Sequence, residues 1–174
     1  MSKLNIYLIR HGEKDESGKH LTKRGIKQAK LFAKKIKNNK ITKIYSSDLE
    51  RCKETALIIA KKLKLPIQYE KSLREVKGFI KENPEKYPKE INEIEKIFLK
   101  LSKEKGEILV VSSGIVNRIL IALFLGITPS KANFIQNPTG LNHIQENKEQ
   151  KRFRILCINN TDHLTNKLKI TQKD

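Results

Sequence analysis

Apolar and polar positions change period several times along this chain, and each change marks an element. Lys3 to Arg10 is a nearly unbroken apolar run, Leu4, Ile6, Tyr7, Leu8 and Ile9, of the kind a buried strand shows. It ends where Gly12 and a run of polar residues begin. From Thr22 to about Lys37 the period lengthens: Ile26, Ala29, Phe32, Ala33 and Ile36 recur at helical spacing. Lys43 to Ser46 predicts a short strand. Ser47 and Glu50 then stand at capping-box spacing, so a helix is predicted to open at Ser47. It would bury Cys52, Ala56, Ile59, Ala60 and Leu63 and stop before Pro66.

Ile67 to Tyr69 predicts a small strand leading into the loop Lys71 to Gly78, and Asn83-Pro84 to Pro88 breaks the chain. A helix is expected from about Lys89 to Lys103, with Ile91, Ile94, Ile97, Phe98 and Leu101 on one face. Glu107 to Ser112 predicts a second buried strand, followed at once by Gly114 and a buried helix to Leu125. Two further strands are expected near Leu141 to Glu146 and Phe153 to Asn159, and a frayed tail from Asn166 to Asp174. Strands alternating with helices, without repeats or a linker, predict one α/β domain over residues 1–174. Its expected form is a three-layer sandwich, a mostly parallel central sheet flanked by helices.

Composition narrows the class. With 174 residues, 37% hydrophobic and 32% charged, the chain reads as globular rather than disordered. The longest apolar run, Ile119 to Leu125, is far short of the roughly 20 residues a bilayer span needs. The start moves directly into the first strand without an apolar signal core, so a cytoplasmic, non-membrane protein is expected. Two cysteines are too few for a disulfide framework or a thiolate zinc site. The net charge of +18 comes mostly from lysines spread over helix faces, with 6% aromatics and no Trp. That pattern fits a solvated surface better than a nucleic-acid interface, and its field also attracts small phosphorylated molecules.

In such sheets ligands collect beyond the carboxyl ends of the strands. That rule singles out Arg10-His11-Gly12, Ser46 to Arg51, Arg74-Glu75 and Ser112-Ser113-Gly114. A His past a buried strand can present one ring nitrogen to a pocket, and Gly12 removes a side chain that would crowd an incoming group. Arg51, one turn into a helix after a second strand, can reach the same place. Two planar guanidinium forks beside a His suit a phosphoryl group, and their charge favours a neutral imidazole.

At these residues the chain resembles the histidine phosphatase superfamily, the phosphoglycerate-mutase-like enzymes. Ile9-Arg10-His11-Gly12-Glu13 resembles that family's opening motif, and Leu21-Thr22-Lys23-Arg24-Gly25-Ile26-Lys27-Gln28-Ala29 is similar to its Leu-Thr-x-x-Gly-x-x-Gln-Ala. Ile44 to Ala56 is similar to the second Arg motif, Leu73-Arg74-Glu75 to the acid-bearing loop, and Val110-Val111-Ser112-Ser113-Gly114 to Val-Val-Ser-His-Gly. Asn137-Pro138-Thr139-Gly140 and Asn159 to Leu164 resemble late family segments. The resemblance implies that His11 attacks phosphorus and carries a transient phosphohistidine, with Arg10 and Arg51 holding the oxygens. It implies that Glu75 protonates the leaving oxygen, with a phosphoryl dianion favouring its protonated form. Neither metal nor cofactor is implied. The implied partner is a phosphorylated small molecule or a phosphorylated protein side chain.

One position departs. The family carries a second His where this chain has Ser113, which keeps a small donor and loses the cation. By analogy with loss of one electrostatic donor, turnover is expected to fall roughly 10²- to 10³-fold, or more, while the Ser113 and Gly114 amides still bind an anion. The expectation is an impaired phosphomonoester hydrolase, with a phospho-ligand-binding module as the alternative. Mutase chemistry ranks lower, because the first motif reaches Leu21-Thr22 through a short loop and lacks the Trp-Asn that often follows the family's His-Gly. His143 and His163, and less so His20, are the imidazoles that could substitute. Cys52 and Cys157 read as core, Arg118 as a helix anchor or a family basic position, and Glu13 and Lys14 as pocket rim or solvated loop.

Overall fold

The computed structural model describes residues 3–76, 88–150 and 152–169. The first apolar run forms β1 (Asn5–Arg10), with all six residues buried. There follow α1 (Lys23–Ile36), β2 (Lys43–Ser46), α2 (Glu50–Leu63), β3 (Ile67–Tyr69), α3 (Pro88–Ser102), β4 (Glu107–Ser112), α4 (Gly114–Leu125), β5 (Leu141–Asn147) and β6 (Arg152–Asn160). One six-stranded sheet has the order β3-β2-β4-β1-β5-β6. The first four of these run parallel, and β5 and β6 form an antiparallel hairpin added against β1.

The alternation of side chains along the central strands divides the core in two. Ile6, Leu8, Ile108 and Val110 face one way, packing with Ile94, Ile97 and Leu101 of α3 and Ile119, Leu120 and Phe124 of α4. Tyr7, Ile9, Leu109 and Val111 face the other way, against Phe32, Ala33 and Ile36 of α1 and Cys52, Ala56, Ile59 and Ala60 of α2. This is why β1 and β4 read as continuous apolar runs: a strand covered on both faces has no polar side to show. The result is the three-layer α/β arrangement. No helix among the described residues is long and apolar enough to cross a membrane.

Three local expectations need correction. The helix after β2 begins at Glu50, not Ser47, and its N-cap Leu49 makes no side-chain cap bond. Ser47 instead continues the sheet, its amide donating to Val111 O at 2.9 Å, so that amide is not free for Glu50 to complete a capping box, and Ser47 Oγ accepts from Leu49 N at 3.4 Å, ahead of the helix. Ile26, expected on the buried stripe of α1, is exposed. At the far end, Asn166–Leu168 forms a 3-10 turn where fraying was expected, and Leu168 O accepts from the Gln28 side chain at 2.9 Å. The chain break at Asn83 to Pro84, Gly78 and the last residues of the tail lie outside the described residues.

Register sets the place where chemistry can occur. Arg10 pairs with Ser112 and Ser46 with Val111, so β1, β4 and β2 end level with one another. His11, Ser47 and Ser113 therefore leave the sheet along a single rim.

Candidate active site

His11 still belongs to the sheet, its amide donating to Ser112 O at 2.9 Å, and its side chain is buried. Nδ1 lies 2.7 Å from Gly12 O. A carbonyl can only accept, so Nδ1 carries the proton and Nε2 keeps its lone pair. Gly12 N–H donates to Thr55 Oγ1 at 3.0 Å. The room that Gly12 leaves is not open to a ligand: a Cβ there would stand 2.6 Å from Gly25 O. The glycine is needed so that the loop can press against α1, which corrects the expectation that it clears space for an incoming group. Gly25 is equally constrained, since its Cβ would fall 2.2 Å from Glu13 O.

The Leu-Thr segment braces this loop. Thr22 caps α1 by accepting from Gly25 N at 3.0 Å, and its hydroxyl meets Glu13 Oε2 at 3.0 Å. Glu13 N donates to Gln28 Oε1 at 2.8 Å, and Thr22 N to Glu13 O at 3.0 Å. Glu13 is thus a brace. Lys14 faces the nucleophile closely enough to act on its charge.

Arg51, in the first turn of α2, gathers the site. Its Nε donates to His11 Nε2 at 3.0 Å, Nη1 to Gly18 O at 2.8 Å, and Nη2 to Glu75 Oε2 at 2.5 Å. Its side chain is 9% exposed, so these bonds act where water screens little. Glu75 is held in place by its neighbour: Arg74 makes a two-pronged pair with Asp48, at 2.7 and 2.6 Å, tying the acid's loop to the β2–α2 connection. Burial, first, and then Arg10 hold the His11 pKa well below the ordinary 6.5 against an upward pull from Gly12 O, with smaller downward contributions from Arg51 and Lys14. The imidazole is neutral at physiological pH.

On the other side of the rim, Arg10 Nη1 donates to Gln136 O at 2.6 Å, and its guanidinium lies over Gly114, whose absent Cβ would be 3.5 Å from Arg10 Cζ. Ser113 occupies the N-cap of α4 without a side-chain cap bond. It is fully buried, and its Oγ has no hydrogen-bond partner among the described residues. Behind it runs a buried polar network. Ser112 Oγ meets the Asn117 carboxamide at 2.5 Å, Asn117 meets Gln136 at 3.1 Å, and Asn142 Nδ2 donates to Gln136 Oε1 at 2.8 Å and Leu8 O at 3.0 Å.

The structure therefore joins His11, Arg51 and Glu75 by direct contact, and sets Arg10, Ser113 and Gly114 beside them. Thr55, Asn117, Gln136 and Asn142 were missed by the sequence reading, and no local pattern marks them. The spare imidazoles are engaged elsewhere. His163 bonds Thr139 Oγ1 at 3.0 Å and stands edge-on to Phe32, His143 stacks on Tyr7 and bonds Asn5, and His20 pairs with Glu54 at 2.6 Å. Cys52 is buried, its thiol pushed up to about 12 by burial, and Cys157 is half-buried against the same core. Arg118 Nε donates to Phe134 O at 2.6 Å, anchoring α4 to the loop that follows it.

Comparison with known proteins gives this geometry a setting. A family model described as histidine phosphatase superfamily (branch 1) matches residues 6–95. The Yersinia pestis protein named "Probable phosphoglycerate mutase GpmB" is 40% identical over 89 residues, 46% of this chain and 41% of that relative's length. The chain thus aligns with less than half of that relative. Among solved structures, phosphoserine phosphatase of Entamoeba histolytica, in complex with phosphoserine, superposes with a TM-score of 0.75 at 24% identity, covering 92% of this chain and 99% of that one. Alpha-ribazole phosphatase of Shigella flexneri gives 0.74 at 21% identity, covering 91% and 97%. At these identities the likeness establishes the fold.

Proposed function

The chain belongs to the histidine phosphatase superfamily, and from that membership we propose that it hydrolyses phosphomonoesters in the cytoplasm through a phosphohistidine on His11, slowly because Ser113 replaces an imidazole. The observation that carries this reading is the placing of Arg51 between His11 Nε2 and Glu75 Oε2. One guanidinium there marks the position where a phosphoryl group meets both nucleophile and acid.

The steps balance without a metal. His11 Nε2, unprotonated because Nδ1 holds the proton, forms a bond to phosphorus as the bond to the leaving oxygen breaks. Arg10 and Arg51 take the phosphoryl oxygens, so Arg51 exchanges its contact with Nε2 for contacts to substrate. Once substrate takes over the Arg51 fork, Glu75 loses that ion pair, takes up a proton beside the phosphoryl dianion and gives it to the leaving oxygen. Water then attacks phosphorus, the N–P bond breaks, and Glu75 takes the proton from water. The Gly114 amide at the start of α4 and the Ser113 hydroxyl are the neutral donors that remain where a cation is missing. The short turn between His11 and Leu21 favours hydrolysis over mutase chemistry, and the substrate is a phosphorylated small molecule or protein side chain.

A second reading rests on Ser113 itself: a buried hydroxyl without a partner can bind an anion and supplies no charge to a transition state. The protein would then be a phospho-ligand-binding module. Hydrolysis of an aryl phosphate by the parent, His11→Ala and Ser113→His decides between them. An enzyme loses its turnover in His11→Ala and gains about 10²-fold in Ser113→His. A binding module shows flat rates in all three while still binding inorganic phosphate.

A further inference from the structure

Resting on that reading, we infer that Thr55 is a positioning residue that closes nucleophile and arginine into one hydrogen-bonded ring. Thr55 lies one turn after Arg51 on α2 and is fully buried. Its Oγ1 accepts from Gly12 N–H at 3.0 Å and donates to Arg51 O at 2.8 Å. Gly12 O in turn accepts from His11 Nδ1–H at 2.7 Å, and His11 Nε2 accepts from Arg51 Nε at 3.0 Å. The path Thr55, Gly12, His11, Arg51 and back to Thr55 is closed. Two of its members, His11 and Arg51, belong to the proposed chemistry, and Thr55 touches neither substrate nor reacting atoms.

The ring passes through the two peptide groups that meet at the Gly12 Cα: the His11–Gly12 group, whose N–H is held by Thr55, and the Gly12–Glu13 group, whose own N–H donates to Gln28 Oε1 at 2.8 Å. The Gly12 N–H is set by Thr55, and the carbonyl of the same residue decides which nitrogen of His11 carries the proton. A buried N–H without an acceptor is costly, so losing the hydroxyl turns the His11–Gly12 peptide toward another acceptor and shifts the His11 side chain against a Gly12 carbonyl that Gln28 still holds through Glu13 N. Nδ1 then loses that carbonyl, and the proton is free to occupy Nε2, the nitrogen that must attack. The helical bond to Arg51 O from the Thr55 amide does not need the hydroxyl, so α2 itself should survive the change. The hydroxyl is the only part of the side chain the ring uses; a methyl of the same shape fills the space and cannot make either bond.

The test compares Thr55→Val, which keeps the shape, with Thr55→Ser, which keeps the hydroxyl. The full chain labelled with 15N in its histidines reports the His11 tautomer directly, independently of turnover. The parent and Thr55→Ser should show the Nδ1–H form, and Thr55→Val a mixture in which Nε2 carries the proton. With an aryl phosphate, kcat/KM should fall about 10²-fold in Thr55→Val and be largely restored in Thr55→Ser, because a misplaced reacting group costs that much. If Thr55→Val does not fold, Thr55→Ala carries the same measurement. An unchanged tautomer in the folded variant overturns the inference. So does a rate that falls equally in Thr55→Ser and Thr55→Val, in step with their thermal midpoints. If the parent itself shows no His11-dependent turnover, the proposed activity fails, and the nitrogen spectra still decide the ring.

Discussion

The two halves of the rim are built to different standards. Around His11 and Arg51 the polar groups are paired: His11 at both nitrogens, Gly12 at its N–H and C=O, Arg51 at all three nitrogens, and Glu75 in its charge pair. Around α4, the supporting network of Ser112, Asn117, Gln136 and Asn142 is as well bonded, and beside it stands the buried Ser113 hydroxyl, which has no hydrogen-bond partner among the described residues. Such a hydroxyl is uncommon in a folded interior. The contrast shows that scaffolding and chemistry are separable. The half around His11 is tied together by hydrogen bonds, whereas the half around α4 keeps its frame and ends in Ser113, where the proposed chemistry would call for an imidazole.

The largest consequence falls on the attacking half. Arg51→Lys keeps the charge and loses the fork that spans His11, Gly18 and Glu75. We expect kcat/KM for an aryl phosphate to fall about 10²- to 10³-fold, with little change in thermal midpoint. A lysine variant within a few-fold of the parent would remove Arg51 from the centre of the account.

An intermediate effect concerns acid. His11 sits below its ordinary pKa of 6.5 because of burial and Arg10, and His163 is lowered to about 4, chiefly by burial. Both are neutral in the folded protein, so between about 4 and 6.5 the unfolded chain binds more protons. Stability is then full above 6.5 and lost as pH falls toward 4. Thermal melts across that range should show the decline, and His163→Gln should flatten it. A melt profile that is level from neutral pH down to 4 would contradict these burial assignments.

The smallest effect belongs to the other half. Ser113→Ala removes a hydroxyl that holds nothing, so the thermal midpoint should stay the same or rise slightly. Binding of inorganic phosphate, measured calorimetrically, should weaken a few-fold if that hydroxyl is a phosphate donor. A marked drop in stability would mean that Ser113 supports the fold after all.

Much of this was legible in the primary structure. β1 and β4 show as apolar runs because they are covered on both faces, and α1 and α3 show as stripes because each is covered on one. His11, Arg51 and Glu75 were found because they follow strand ends or a matched loop. What escaped depends on contacts distant along the chain. Ser47 has the sequence of a cap, yet Val111 O claims its amide for the sheet. Gly12 looks like room for a ligand, yet the backbone of Gly25 fills that room. Thr55, Asn117, Gln136 and Asn142 carry no local pattern, because each answers a partner that only the fold brings near.

The central claim is that His11 Nε2 is the atom that takes the phosphoryl group. Rapid quenching of the protein with a labelled aryl phosphate, followed by peptide mapping, tests it most directly. The account predicts one phosphoramidate, stable to base and labile to acid, on the peptide containing His11, and none in His11→Ala. Label on any other residue, or parental turnover by His11→Ala, would contradict it.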